Sequence, residues 1–264
     1  MGRPLSDEDF QKFLLSPESA AKMPEWEKAL AEVKQSNMRA IGERMLAWLP
    51  AGAVIHARVY PEIKPRSNSF VWTKPGGEPA IFLYLKPETK GQFENTVAHE
   101  CHHIGLSSLP KRSGIARAVE WMSGFGEGQA MLAAAGSVDR HPHSEDDVLT
   151  RARWDGDLMH FNADLKALEQ FFLEMFDGKF EGKSDQAVME RAAPFWGDAQ
   201  GAWYTVGYEM SVLVERKYGR PVLLECMLDP RKLLSFYNAI ALEANAKNGA
   251  TLATWSPELL ARLR

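Results

Sequence analysis

The spacing of apolar side chains predicts that helices make up most of this chain. Over Pro24–Leu49, apolar residues recur every three or four positions, as the buried face of a helix requires. The same spacing predicts later helices at 113–136, 145–178, 185–193, 200–218 and 230–246. We therefore expect a mainly α-helical protein.

Three short segments have the composition of β-strands instead. Val54–Tyr60 alternates apolar and polar residues, while Phe70–Thr73 and Ala80–Leu85 are rich in apolar and aromatic side chains. Residues typical of turns separate these segments, in Pro61–Asn68 and again in Pro75-Gly76-Gly77. The pattern predicts a small sheet, in which Ala80–Leu85 lies either at an exposed edge or inside.

The segment Thr89–Leu106, which follows the last predicted strand, is expected to form one helix. It contains no proline, and Gly105 offers a place for the helix to end. Its apolar stripe consists of Phe93, Val97, Cys101 and Ile104. His99 and His103 lie beside this stripe, at the border where a cleft could open.

These histidines belong to the string His-Glu-Cys-His-His at positions 99–103, which has the form HExxH. Side chains four positions apart share one face of a helix, so His99 and His103 can bind one Zn²⁺ ion together. Glu100 then points toward the open side of the metal, where it can take a proton from a water that zinc acidifies. The string predicts a hydrolytic zinc site, and the alternative is a core helix with two structural histidines.

A catalytic zinc ion takes three protein ligands and leaves the fourth position to water. The known extension of the motif by a third histidine is absent, because the sixth residue after His103 is a leucine. Two carboxylates follow, and we favour Glu127, 24 positions after His103, over Glu120, which fits an exposed helix position. The neighbouring Gly126 and Gly128 would let another backbone approach Glu127 closely.

An HExxH string followed by Glu-Gly-x-Ala on the next long helix resembles the gluzincin metallopeptidases. The thermolysin-like enzymes and the aminopeptidase-N family share this plan of two histidines and one glutamate. The resemblance implies that His99, His103 and Glu127 bind zinc and that Glu100 is the general base. The interval between His103 and Glu127 is a few residues longer than in the aminopeptidase-N family, which implies a different connection between the two helices.

A second resemblance concerns Tyr204-x-x-Gly207, at the start of the predicted helix 200–218. In the aminopeptidase-N family a Tyr-x-x-Gly string opens a comparable helix, and its tyrosine hydrogen-bonds the oxyanion of the tetrahedral intermediate. The resemblance implies this role for Tyr204, because charge on the carbonyl oxygen needs a fixed hydrogen-bond donor. Tyr208, one turn further on, is the alternative, and both tyrosines could also be core aromatics.

As a whole, residues 50 to 240 resemble uncharacterised bacterial proteins described as zinc-dependent peptidases. The resemblance runs through three blocks, at Ala80–Leu106, Phe125–Gly136 and Tyr204–Tyr237. It implies an α+β, mainly α fold, with a small β-sheet packed above the HExxH zinc helix and a helical C-terminal lobe. We expect one metallopeptidase domain over 1–264, in which 1–105 hold the first helices, the sheet and the zinc helix, and 106–264 form the lobe that carries the third ligand.

Composition narrows the function only slightly. The 31 basic and 35 acidic residues nearly balance, so nothing indicates a nucleic-acid partner. No apolar run is long enough to span a membrane. Met1–Phe10 lacks a signal-peptide core, so we expect a cytoplasmic protein, or an exported one if a signal was removed. Cys101 and Cys226 are expected to be reduced core residues.

Two further groups of residues could contribute to a metal site. His141 and His143 stand in a polar stretch that we expect to be a surface loop rather than a second metal site. Asp155 and Asp157 lie beside Trp154 in the sequence, where one of them could orient a ligand histidine, although most aspartates in such a loop are solvated. His102 is expected to pack beside the site rather than to bind the metal.

These observations together predict a zinc-dependent peptidase that hydrolyses bonds in a peptide or protein substrate. Two alternatives remain: a non-catalytic zinc-binding or interaction protein on the same scaffold, and a zinc hydrolase of a non-peptide amide or ester. The intact Glu100 argues against the first, because a structural zinc site needs no general base. The Gly-x-Met-Glu-Asn string with which the aminopeptidase-N family binds a free amine is missing, which favours an endopeptidase or a processing enzyme.

Overall fold

Helices and one small sheet form two units in this computed structural model, which describes residues 6–65, 68–110, 113–197, 200–249 and 251–264. The first, the N-terminal unit, comprises Met1–Ala47 and Gly52–Leu109. The second, the C-terminal unit, comprises Trp48–Ala51 and Pro110–Arg264. The predicted α+β, mainly α fold is confirmed, whereas the single domain over 1–264 stays a prediction.

The N-terminal unit begins with three helices, followed by three strands and the helix that carries the HExxH string. Its elements are α1 (Asp7–Leu14), α2 (Pro17–Gln35), α3 (Met38–Leu46), β1 (Arg58–Glu62), β2 (Phe70–Thr73), β3 (Pro79–Tyr84) and α4 (Lys90–Ser107). The single helix predicted over Pro24–Leu49 is wrong, because the chain is extended at Ser36 and a new helix starts after Asn37. The Asn37 side chain accepts a hydrogen bond from the Ala40 N–H, the ordinary role of asparagine at a helix N-cap.

The sheet has the strand order β1-β3-β2, with β1 parallel and β2 antiparallel to β3. Because β3 pairs on both sides, the internal position is the right one of the two that the sequence left open for Ala80–Leu85. Ile81 and Leu83 on β3 are almost fully buried, and α4 packs on β3. Strand β1 continues through Pro61, where a turn was expected, since an edge strand tolerates a missing N–H.

Helix α4 is held at its start by a capping box. The Thr89 hydroxyl accepts from the Gln92 N–H, while the Gln92 side chain accepts from the Thr89 N–H. The predicted apolar stripe is buried, and the helix packs on α2, α3 and β3. It runs two residues past Gly105, to Ser107, so the predicted stop at that glycine is wrong.

The C-terminal unit is built from helices. They are α5 (Arg117–Trp121), α6 (Gly126–Ala135), α7 (Val148–Leu158), α8 (Phe161–Phe176), α9 (Asp185–Ala192), α10 (Ala202–Tyr218), α11 (Arg220–Leu228), α12 (Pro230–Asn248) and α13 (Pro257–Arg262). The helix predicted at 145–178 breaks into two at Met159–His160, and that at 113–136 is interrupted by the 3₁₀ turn Met122–Phe125. Helices α11 and α13 have no counterpart among the helices predicted from the apolar spacing.

Helices α6 and α10 approach each other at two glycines. A methyl group built on Gly128 of α6 would lie 2.0 Å from the Tyr208 backbone nitrogen and 2.4 Å from the Tyr204 carbonyl oxygen. One built on Gly207 of α10 would lie 2.5 Å from the Phe125 carbonyl oxygen. The backbones therefore touch at a distance that no other residue type permits at these positions.

The C-terminal segment, defined as residues 251–256, has no helix or strand and is bonded to asparagine side chains of α8 and α12. Asn162 of α8 donates to the Thr251 carbonyl and accepts from the Ala253 N–H, both at 2.7 Å. Asn238 and Asn245 of α12 make the same paired hydrogen bonds with Trp255 and Leu252, respectively. Each side-chain amide thus bonds to backbone N–H and C=O groups, as a neighbouring strand would.

Candidate metal centre

The two histidines of the HExxH string lie on consecutive turns of α4, as the four-residue spacing predicts. Their Nε2 atoms are 2.9 Å apart, and the ring planes are inclined by 78°. Both side chains are half-buried, so each keeps a path to solvent. Local helix geometry is enough to bring the two imidazoles together.

A carboxylate completes this pair. One ring nitrogen each of His99 and His103 and one carboxylate oxygen of Glu127 lie within 4.8 Å of one another. Among the described residues, this is the one group of three or more side chains able to hold a metal ion. Glu120, the other candidate, is exposed on α5 and lies outside the group.

The group fits a zinc ion. Two imidazole nitrogens and one carboxylate oxygen are the ligand atoms of catalytic zinc sites. One ligand atom of each side chain already lies within 4.8 Å of the others, so small side-chain movements would bring all three to a common ion. The expected cofactor, Zn²⁺, thus agrees with the donor set of His99, His103 and Glu127.

The residues between the two histidines are more buried than the histidines themselves. Glu100 is 9% exposed, and His102 is fully buried, with its ring plane inclined by 75° to that of His103. Burial raises the pKa of the Cys101 thiol to about 12, so this cysteine stays protonated at neutral pH and is a poor metal ligand. Cys101 and Cys226 are both free and buried, as predicted.

The two candidate tyrosines of α10 differ in exposure. Tyr204 is half-buried and lies edge-on to Trp196, with 6.5 Å between the ring centroids. Tyr208 is 7% exposed, packs against Trp154, and has its pKa raised to about 12 by burial. Gly128, the residue that follows Glu127, lies against the turn of α10 that contains both tyrosines.

Of the two glycines that flank Glu127, only Gly128 has the predicted role. A methyl group on Gly128 would collide with the α10 backbone, whereas one on Gly126 would meet nothing within 4 Å. The prediction of a close backbone approach is therefore confirmed at Gly128 and wrong at Gly126. Gly207, the glycine of Tyr-x-x-Gly, makes the matching approach from α10.

The stretch around His141 contains one histidine that is buried and hydrogen-bonded. His143 is 8% exposed, with Nδ1 2.8 Å from an Asp146 oxygen and Nε2 2.7 Å from the Gln200 side-chain oxygen. Asp155 lies 3.1 Å from the His141 Nε2 atom, so it pairs with that histidine rather than with a histidine of the metal group. The expected surface loop is wrong for His143, whose ring packs on Trp154.

One polar residue of α10, Glu209, is partly buried without any signal in the sequence. Glu209 is half-buried, and burial raises the pKa of its carboxyl group, although the positive charge of Arg216 opposes this shift. No spacing or composition signal marks a buried glutamate within an amphipathic helix, because its burial depends on α10 being covered on that face.

Within the described parts of the chain, no helix has both the length and the apolar character needed to cross a bilayer. Residues 10–246 match a protein family described as "Putative zinc dependent peptidase (DUF5700)". No curated protein and no solved structure matches the chain. The likeness to the thermolysin and aminopeptidase-N families therefore stays a prediction.

Proposed function

The chain belongs to the DUF5700 family, and from that premise we propose that it hydrolyses peptide bonds at a zinc ion held by His99, His103 and Glu127. The observation that carries this proposal is the convergence of these three side chains, whose ligand atoms lie within 4.8 Å of one another. Two histidines and one glutamate form the ligand set of a gluzincin peptidase. A zinc ion in such a set supplies Lewis acidity, which makes a water molecule nucleophilic and polarises the scissile carbonyl.

Glu100 is the proposed general base. It follows His99 directly on α4, and in an HExxH string this glutamate is the residue expected to serve as base beside the metal. One carboxylate oxygen accepts a proton from the attacking water and later gives this proton to the leaving amine nitrogen. Low exposure of Glu100 keeps bulk water from competing for that proton.

Tyr204 is the proposed hydrogen-bond donor to the substrate. Its hydroxyl donates to the carbonyl oxygen as negative charge develops there, which lowers the energy of the transition state. Tyr208 fits this role less well, because it is buried against Trp154 and has little surface left for a substrate. The substrate is a peptide or a protein, consistent with the family description.

Two measurements on purified protein test the proposal: metal content by inductively coupled plasma mass spectrometry, and cleavage of a peptide library. We expect about one zinc ion per chain and cleavage that a chelator abolishes and added zinc restores. Glu100→Gln should keep the zinc and lower turnover by about a thousandfold. Glu127→Ala should lose both zinc and turnover, whereas the matched control Glu120→Ala should keep both.

Each outcome separates the proposal from its alternatives. Full zinc with no cleavage of peptides, amides or esters identifies a zinc-binding protein without catalysis. Cleavage of simple esters or amides but of no peptide identifies a non-peptide hydrolase. Unchanged turnover in Glu100→Gln would rule out the proposed general base, and unchanged turnover in Tyr204→Phe would rule out the proposed oxyanion donor.

A further inference from the structure

A cavity of about 360 Å³ opens in the C-terminal unit, apart from the residues proposed for catalysis. Its walls come from α7, the start of α8, the middle of α10 and the beginning of the C-terminal segment. Its apolar lining includes the side chains of Leu158, Met159, Phe161 and Leu252. The volume is at the lower end of the range for small-molecule pockets, which suits a ligand of a few heavy atoms.

The polar groups of the lining differ in what they already bind. The Asn162 amide is used at both ends by the C-terminal segment. Asp155 is exposed and paired with His141. Glu209 makes no hydrogen bond or ion pair with any part of the chain that the structure describes, and Arg216, whose positive charge acts on it, is itself bonded to Val138 and Asp139.

A half-buried carboxylate without a partner is unfavourable, since burial removes part of its hydration and nothing replaces it. The raised pKa of Glu209 expresses this cost. A cation in the cavity would restore the lost interaction. Among the residues that the structure describes, no lysine or arginine lines the cavity, so an anionic ligand would find no cationic partner among them.

We propose that this cavity binds a small organic ammonium ion, with the ammonium group on the Glu209 carboxylate and the alkyl group against Leu158, Phe161 and Leu252. An organic cation suits the site better than a metal ion. Calcium and magnesium require several oxygen ligands, whereas Asn162 and Asp155 of the lining are already bonded to the C-terminal segment and to His141, which leaves Glu209 as one carboxylate. A primary ammonium needs one carboxylate as ion-pair partner and gains from apolar surface along its carbon chain.

The test compares two probes of nearly equal shape, 3-methylbutylamine and 3-methylbutanol. Met159 lines the cavity and is 85% exposed, so its methyl group is a sensitive reporter. In protein labelled with ¹³C at the methionine methyl groups, Met159→Leu identifies the signal. Titration with the amine at pH 7 should shift this signal saturably, with a dissociation constant of about 1 mM. The alcohol should bind at least about tenfold more weakly.

Two variants test which carboxylate forms the ion pair with the amine. Glu209→Gln keeps the shape of the side chain and should weaken amine binding about tenfold or more, to the level of the alcohol. The matched control Asp155→Asn should change the affinity less than about twofold, because that carboxylate is exposed and already paired. Equal binding of amine and alcohol by the unaltered protein would overturn the proposal, and this comparison needs no variant to fold.

Two further probes distinguish the possible sources of the ammonium group. Leucinamide presents the α-ammonium of an amino acid, and N-acetyl-lysine methylamide presents the ε-ammonium of a lysine side chain. Stronger binding of one assigns the site to that kind of group. Because no assay here uses zinc or peptide cleavage, failure of this proposal and failure of the peptidase proposal are observed separately.

Discussion

The HExxH helix and the helix pair α6–α10 position their candidate residues by different means. On α4, His99 and His103 are neighbours because they lie one turn apart, and the helix needs only its cap and its apolar face. Glu127 and Tyr204 belong to different helices, and their relation depends on a backbone contact at Gly128. Local helix geometry thus positions His99 and His103, while tertiary packing positions Glu127 and Tyr204.

The largest effect is expected from closing the space between α6 and α10. Gly128→Ala would place a methyl group 2.0 Å from the Tyr208 backbone nitrogen, so the helices must separate or unfold. We expect a loss of more than about 4 kcal/mol in the free energy of unfolding, measured by urea denaturation. The matched control Gly126→Ala meets nothing within 4 Å and should change stability by at most about 1 kcal/mol, toward greater stability. Equal destabilisation by both variants would refute the contact.

A comparable effect is expected from the metal. Zinc binds the folded chain, so zinc at about a thousandfold above its dissociation constant should stabilise the protein by about 4 kcal/mol. His103→Ala should remove this gain, measured as the rise in Tm on adding zinc, while α4 stays helical by circular dichroism because alanine favours helices. His103→Ala removes a ligand without disturbing packing, whereas Gly128→Ala disturbs packing. A zinc-dependent rise in Tm that survives in His103→Ala would contradict the ligand assignment.

A smaller effect is expected at the N-terminus of α4. Thr89→Ala removes the hydroxyl that accepts from the Gln92 N–H and should cost about 1 kcal/mol of stability. Thr89→Ser keeps the acceptor and should recover most of that loss. Thermal unfolding of the two variants is the measurement. If serine fails to recover stability, the threonine acts through its methyl group rather than as a cap.

The smallest effect is expected at Glu209 of α10, and it depends on pH. Burial raises the pKa of this carboxyl above its ordinary value of 4.5, so the folded state binds the proton more tightly than the unfolded state. The resulting stability is fully present below pH 4.5 and is lost as the pH rises through the folded-state pKa. Glu209→Gln should therefore be more stable than the parent at pH 7, by less than about 1 kcal/mol, and the difference should vanish near pH 4. Tm values from pH 4 to 8 for both proteins test this; a constant difference would exclude the mechanism.

What could be predicted from the sequence follows the same division. The HExxH helix and its buried stripe are local patterns of period 3.6, and the structure has them where the sequence indicates. The central place of β3 could not be read in this way, because it depends on parallel pairing with β1 across the intervening strand. Gly126 and Gly128 look equivalent in the sequence, and only the crossing of α10 distinguishes them.

Breaks between helices were missed for a related reason. The apolar spacing continues across Ser36-Asn37 and across Met159–His160, although the chain leaves the helix at both places. Caps such as Asn37 compete with helix continuation by a single hydrogen bond, which periodicity does not detect. The cavity at Glu209 could not be predicted from local patterns either, because its walls come from four separate parts of the chain.

The three asparagines that hold the C-terminal segment have a consequence for the chemical ageing of the protein. Each amide presents one oxygen to an N–H and one NH₂ group to a carbonyl. Deamidation would replace that NH₂ group with a negatively charged oxygen facing a carbonyl oxygen, so attraction would turn into repulsion. At Asn238, which is 7% exposed and bonded to both backbone groups of Trp255, little water could reach the new charge. One spontaneous hydrolysis at this position could therefore release a buried tryptophan from the core.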